Sequence, residues 1–300
     1  MLLLAARLVI ALALGGLVTS PAEASRIFRA GQQQFLKGVD PSVASSATCT
    51  FPTSGLTKII ELDPADTAKI FTTIAGSTNP ADGDPVGRWV DKNGSYAFTA
   101  AADDGTRPTY RANSGKPYVE FDGTDDLLLN TSASMGVYGN STQSSTVGVA
   151  TRAVAAAQGV IWTETHSSGL SAYYTMRQGA VDFNDTYAWL RDDAGNYLIN
   201  NSLDGDEALP ANTDASVITI DNLSDVKGYL DNTLVGTSAS YSRTGTLTFS
   251  QSMLGGRKLN GGSATNWYNG RVYYLLAYAN ALNSTDRGTF DTGLKCTQGR

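Results

Sequence analysis

Between Tyr118 and Asp122 polar and apolar residues alternate, with Tyr118, Glu120 and Asp122 on one side and Val119 and Phe121 on the other. A period of two marks a strand with one face buried. Asp122-Gly123 follows as a tight-turn signal, because glycine accepts a positive φ. Leu127-Leu-Leu129 then resumes as a more apolar strand. The spacing predicts a β-hairpin with an acidic turn at its tip.

Short segments of the same kind recur along the chain. They fall at 56–62, at 88–90 and 96–98 around Asn93-Gly94, and at 146–155 and 159–163 around a small-residue turn. Others are 172–177 and 181–183 flanking Gln178-Gly179, then 187–191, 197–199, a meander over 216–236, 246–250, 253–255 and a long closing strand at 270–279. Asp63-Pro64 opens a short helical turn through Ile70. No long helical period appears after the first 25 residues. Many short strands joined by Gly, Asn and Asp turns predict an all-β sandwich.

Composition narrows the functional classes. A chain of 300 residues holds one large β-domain and a leader. The net charge of −6 argues against nucleic acid, which selects a basic face. One histidine, His166, and two cysteines exclude a Cys/His zinc site. His166 sits among Thr163, Glu164 and Ser167 and reads as a surface residue. There is no Gly-x-Ser-x-Gly elbow and no phosphate-binding glycine loop.

Residues 1–25 form an apolar leader: Arg7, a run from Leu8 to Val18, then Ala22-Glu-Ala24. The run has the length of a signal-peptide core and is short for a stable membrane span. Cleavage would fall before Ser25. Residues 26–51 read as a connector or attachment arm, with turn chemistry at Asp40-Pro41 and Ser45-Ser46.

The stretch Lys116-Pro-Tyr-Val-Glu-Phe-Asp-Gly-Thr-Asp-Asp-Leu-Leu-Leu129 resembles the signature of LamG-like, concanavalin A-like jelly-roll domains. Asp82 to Gly94, Arg107-Pro-Thr-Tyr110 and Tyr268 to Leu282 with a short helix over 283–290 fit the same superfamily. Tyr229 to Val235 resembles one of its hairpins. The resemblance implies a concanavalin A-like β-sandwich jelly roll over 52–296, followed by a tail at 297–300. Jelly rolls often bring their terminal strands side by side, which makes a Cys49–Cys296 disulfide geometrically available; two unpaired thiols are the alternative. A second phrase, Phe71 to Trp89, resembles segments of tailed-phage proteins. There an apolar leader stays uncleaved and packs on other virion subunits.

The fold hosts lectins, adhesins, virion proteins and glycanases, so function has to come from sites. Three chemistries are available. Glycan binding pairs aromatic faces with loop polar groups; the candidates are Trp267 and Tyr268 at a loop–strand junction and Tyr187 and Trp189 on one strand face, with core packing as the competing role of each. Trp89 is assigned to the core. Calcium needs hard oxygen ligands, and Asp122, Asp125 and Asp126 are the candidate set, ahead of Asp82/Asp84 and Asp204/Asp206. Glycoside hydrolysis needs two facing carboxylates about 5–5.5 Å apart in retaining enzymes. Glu120-x-Asp122 followed by Asp125 mimics that pattern, with Gly123 breaking the strand before Asp125. The expectation is a recognition or structural module with no catalytic residues. Its settings are a phage virion surface, as a decoration, fibre or tail protein beside other subunits or in a homo-oligomer, or a secreted adhesion protein. A glycan-cleaving enzyme is the minor alternative.

Overall fold

Short strands that bury one face in a shared apolar core carry this fold. The structure is a computed structural model. It describes residues 48–101, 106–131, 143–154, 159–165, 213–238, 249–258, 264–265 and 267–300, and the backbone of 173–178, 185–191 and 197–204. The expectations for the leader, most of the connector arm, His166 and a strand at 181–183 lie outside the described residues.

In chain order the strands are β1 (Lys58–Leu62), β2 (Ile70–Phe71), β3 (Arg88–Val90), β4 (Ala97–Ala100), β5 (Thr109–Arg111), β6 (Tyr118–Asp122), β7 (Leu128–Asn130), β8 (Ser145–Ala153), β9 (Gly159–Thr165) and β10 (Tyr173–Gln178). They continue as β11 (Asp185–Arg191), β12 (Tyr197–Asp204), β13 (Asp214–Asp221), β14 (Val226–Leu230), β15 (Thr233–Ser238), β16 (Gln251–Leu254), β17 (Arg257–Lys258), β18 (Ala264–Thr265) and β19 (Asn269–Tyr278). One helix, α1 (Ser284–Gln298), closes the chain.

Two antiparallel sheets form a β-sandwich. One has the order β15-β14-β13-β8-β19-β6-β5, with β1 also on β19. The other runs β12-β11-β10-β9-β16-β7-β4-β3-β2. Trp89, Phe98, Val119, Phe121, Leu128, Trp162, Leu254 and Leu275 fill the space between them.

The register corrects one expectation. β6 pairs with β5 and β19, whereas β7 pairs with β4 and β16. The two strands therefore belong to opposite sheets, and the acidic turn between them crosses the sandwich instead of closing a hairpin. The same holds for β8 and β9, which lie in different sheets. Local alternation shows that a strand has an inner face; its partners are chosen by residues far away in sequence.

A second apolar layer explains why β19 reads as a nearly unbroken apolar run. Tyr274, Leu276 and Tyr278 face away from the sandwich core and pack with Ile218, Tyr229, Phe290 and Leu294 beneath α1. The helix is longer than the expected 283–290. Its Gly288, Gly293 and four threonines are poor helix formers, but burial of Phe290 and Leu294 supplies what propensity lacks. Asn283 caps it, accepting the N–H groups of Thr285 and Asp286 at 2.9 Å each. The left-handed Gly299 ends it.

Close approach fixes one glycine on the sheet. A Cβ on Gly148 would lie 2.4 Å from the Phe290 ring. Gly148→Ala is therefore expected to push α1 off the sheet and cost about 1–3 kcal/mol, read as a lower urea midpoint.

Cys49 and Cys296 are joined by a disulfide, with a Cα–Cα distance of 5.6 Å. The described residues Thr48–Arg300 form one compact unit. Among the described residues, no helix is long and apolar enough to cross a membrane.

Candidate functional site

On the outer face of β5, β6 and β19, antiparallel pairing brings charged residues from three distant stretches together. Glu120 lies opposite Thr109 on β5 and opposite Arg271 on β19. Arg111 lies opposite Tyr118. The period of two puts Tyr118 and Glu120 on one face, and cross-strand neighbours on one face interact.

The result is a clamp. Glu120 Oε2 accepts Arg111 Nε–H at 3.0 Å, and Oε1 accepts Arg271 Nε–H at 3.2 Å. The Arg271 guanidinium stacks 4.7 Å from the centre of the Tyr118 ring. Tyr118 in turn packs on Tyr273 at 5.2 Å, and the Tyr273 hydroxyl donates to Asp214 at 3.0 Å. Burial opposes the charge on Arg271, but its hydrogen bond with Tyr273 and the nearby Glu120 outweigh that and raise its pKa. The arginines are held by their own neighbours before any ligand arrives.

Arg111, Tyr118, Glu120 and Arg271 line a groove of about 590 Å³ together with Asp82, Ala112, Asn113 and Ser114. Its lip is unusual backbone. Asn113 (φ 37°), Ser114 (φ 50°) and Gly115 (φ 84°) are consecutive left-handed residues. For non-glycine residues this conformation costs roughly 1–2 kcal/mol each, and such strain concentrates at binding and catalytic sites. Asp82 supports the lip by accepting the Ala112 N–H at 2.9 Å.

The acidic turn lies at the end of β6. Asp122 Oδ1 accepts the N–H groups of Thr124 at 2.7 Å and Asp125 at 3.4 Å. Asp126 is only 4% exposed, and its Oδ2 accepts the Asp122 N–H at 2.7 Å. Burial pushes the Asp126 carboxyl up to about 7, with Asp122 and Asp125 adding to the rise. Gly123 (φ 80°) is required here, since a Cβ would sit 2.6 Å from Asn269 Cβ. One carboxylate oxygen from each of Asp122, Asp125 and Asp126 falls within 4.8 Å of the others. Calcium ligands about 2.3–2.6 Å from the ion span that distance, so among the described residues these three are placed to hold one.

The candidate aromatics separate. Trp267 is half-buried, and its ring would lie 3.0 Å from a Cβ on Gly256. The adjacent Gly255 is backed by the Asp126 carbonyl, so Trp267 and the acidic turn flank the same glycine pair. Tyr268 is a correction: it is 1% exposed, lies 6.1 Å from Phe121, and its hydroxyl shares a hydrogen bond with Thr151. It is a core residue and cannot stack on a sugar. Tyr187 and Trp189 sit on β11, opposite Arg177 and Thr175 of β10; their side chains lie outside the described residues.

The hydrolysis geometry is also clear. Glu120 has both oxygens engaged by arginines, Asp122 holds the turn, and Asp126 is buried beneath it. Arg111, Arg271 and Asn113 were not singled out as site residues in the sequence, and Asp82 entered only as a lesser calcium candidate beside Asp84. The only local signal was the turn chemistry of Asn113-Ser-Gly115.

No protein-family model and no curated protein sequence matches this chain. Solved structures do. The chain is similar to a botulinum neurotoxin type C structure whose cell entry depends on interaction with two ganglioside molecules, at 16% identity and TM-score 0.53, over 79% of this chain and 51% of that one. It is similar to domain 4 of an extracellular arabinanase from Geobacillus stearothermophilus, in complex with arabinotriose, at 11% identity and TM-score 0.53, over 79% of this chain and 98% of that one. It also matches the binding domain of botulinum neurotoxin DC in complex with rat synaptotagmin II, at 13% identity and TM-score 0.50, over 79% and 52%. The chain thus spans about half the length of the toxin structures. At these identities the likeness establishes the β-sandwich.

Proposed function

We propose that this chain is a non-catalytic recognition module that binds glycan in the groove on β5, β6 and β19. The Arg111–Glu120–Arg271 clamp carries the reading. It offers fixed donors and acceptors around a groove of about 590 Å³, a volume in the usual range for small ligands. A carboxylate engaged by two guanidinium groups is suited to orienting hydroxyls, and poorly suited to moving a proton. Two of the structural neighbours are described with gangliosides or arabinotriose, which supports the ligand class without identifying it. The LamG-like, concanavalin A-like kinship is part of the same proposal.

The test is a glycan array with the full chain, followed by calorimetry. Arg271→Ala is expected to weaken the selected glycan at least about tenfold, because it releases Glu120 and the Tyr118 ring from the contact that fixes them in the groove. Asp82→Asn keeps the acceptor for the Ala112 N–H and is expected to weaken binding while leaving the melting temperature in place. An array without a single binding glycan would sink the reading.

The setting we favour is outside the cell. A disulfide persists in oxidising compartments, which supports export over assembly in a reducing cytosol. The virion component remains the competing setting. Intact mass separates them: a chain starting at Ser25 fits export, and a chain retaining Met1 fits a virion subunit.

A further inference from the structure

We infer that the groove selects saccharides bearing a carboxylate, with Arg111 as the residue that reads it. This rests on the groove being the recognition site. Arg111 uses only Nε on Glu120; among the described residues no protein acceptor takes the hydrogens of Nη1 or Nη2. Its side chain is 39% exposed and lines the groove. The Nε–H bond to Glu120 anchors the guanidinium at the groove and leaves its Nη1/Nη2 fork for a ligand.

A carboxylate matches that fork with two parallel, charge-assisted hydrogen bonds, which a hydroxyl cannot do. Arg271 is different. Its guanidinium is held by Glu120, by Tyr273 and by the Tyr118 ring, so it positions and does not read. Glu120 neutralises part of the charge of both arginines, which keeps simple anions from binding tightly without further contacts. Asp82 and Asn113 line the same groove beside Arg111 and offer acceptors for ring hydroxyls. The ligand that satisfies the fork and these acceptors together is a hydroxylated acid, such as a uronic or nonulosonic acid unit in a chain of sugars.

The experiment is a calorimetric comparison of acidic oligosaccharides with their carboxyl-reduced counterparts, using oligogalacturonate and an oligosialic acid as probes on the full chain. The intact protein is expected to bind the acidic form at least about tenfold more tightly than the reduced form. Arg111→Gln should collapse that ratio to near one. Arg111→Lys, which keeps charge but loses the fork, should fall between them. A melting temperature equal to the intact protein's verifies that each variant folds. Equal affinity for acidic and reduced forms, or a ratio that survives Arg111→Gln, overturns the inference while the glycan-binding reading stands. Failure of every saccharide, neutral or acidic, to bind overturns both.

Discussion

Replacing Cys49 and Cys296 by serine is expected to lower the unfolding free energy by about 2–5 kcal/mol. The bond joins residues 247 apart in sequence, so in the unfolded chain it closes a very long loop. In the chain-entropy account that places the effect toward the upper end of the usual range. The packing around it sets the lower end. Phe51 stacks on Tyr274 at 4.7 Å and meets Phe290 edge-on at 6.1 Å, and the Tyr278 hydroxyl donates to the Pro52 carbonyl at 2.8 Å. Gly293 lets this segment cross α1, because a Cβ there would lie 2.6 Å from the Thr50 carbonyl oxygen. These contacts survive loss of the bond, so the domain should unfold earlier and remain folded in buffer. Urea unfolding with and without a thiol reductant checks this. The intact chain should lose stability on reduction, and the serine variant should not respond. An intact chain indifferent to reductant would mean that packing alone holds the terminus.

The contrast between what was readable and what was not follows from contact range. The alternation at Tyr118–Asp122 marked a strand because burial is written at a period of two. Which sheet it joins depends on Val272 and Arg271, and β7 joins Leu254 and Ala100 instead. Nothing local distinguishes those outcomes. The groove was hidden for the same reason: Glu120 and Arg271 are 151 residues apart, and only the antiparallel register of β6 on β19 makes them neighbours. Tyr268 shows the opposite limit. Its ring folds inward over Gly270, where a Cβ would sit 2.3 Å from its hydroxyl oxygen. An aromatic two residues before a glycine carried that possibility, but a loop–strand junction suggests exposure just as readily.

The acidic turn makes the second large prediction: stability should fall as pH rises from about 4 to about 7. The Asp126 carboxyl has an ordinary value of 3.8 and is raised to about 7 by burial. Below about pH 4 it is protonated in both states, and its favourable contribution is complete. Between the two values the unfolded chain releases the proton and the folded chain keeps it, so unfolding gains with each pH step. Above about 7 both states are ionised and the loss levels off, at up to about 4 kcal/mol. Asp126→Asn removes the charge and keeps an oxygen to accept the Asp122 N–H. The variant should show a flat profile over this window and exceed the parent in urea midpoint at pH 8. A calcium ion held by Asp122, Asp125 and Asp126 would reverse the parent's loss, because a cation favours the ionised carboxyl. The same unfolding curves at pH 8 in chelator and in calcium therefore separate the two roles of this turn. A calcium-dependent rise in the parent that is absent in Asp126→Asn assigns it a metal; identical curves assign it to holding β6 and β7 in their opposite sheets.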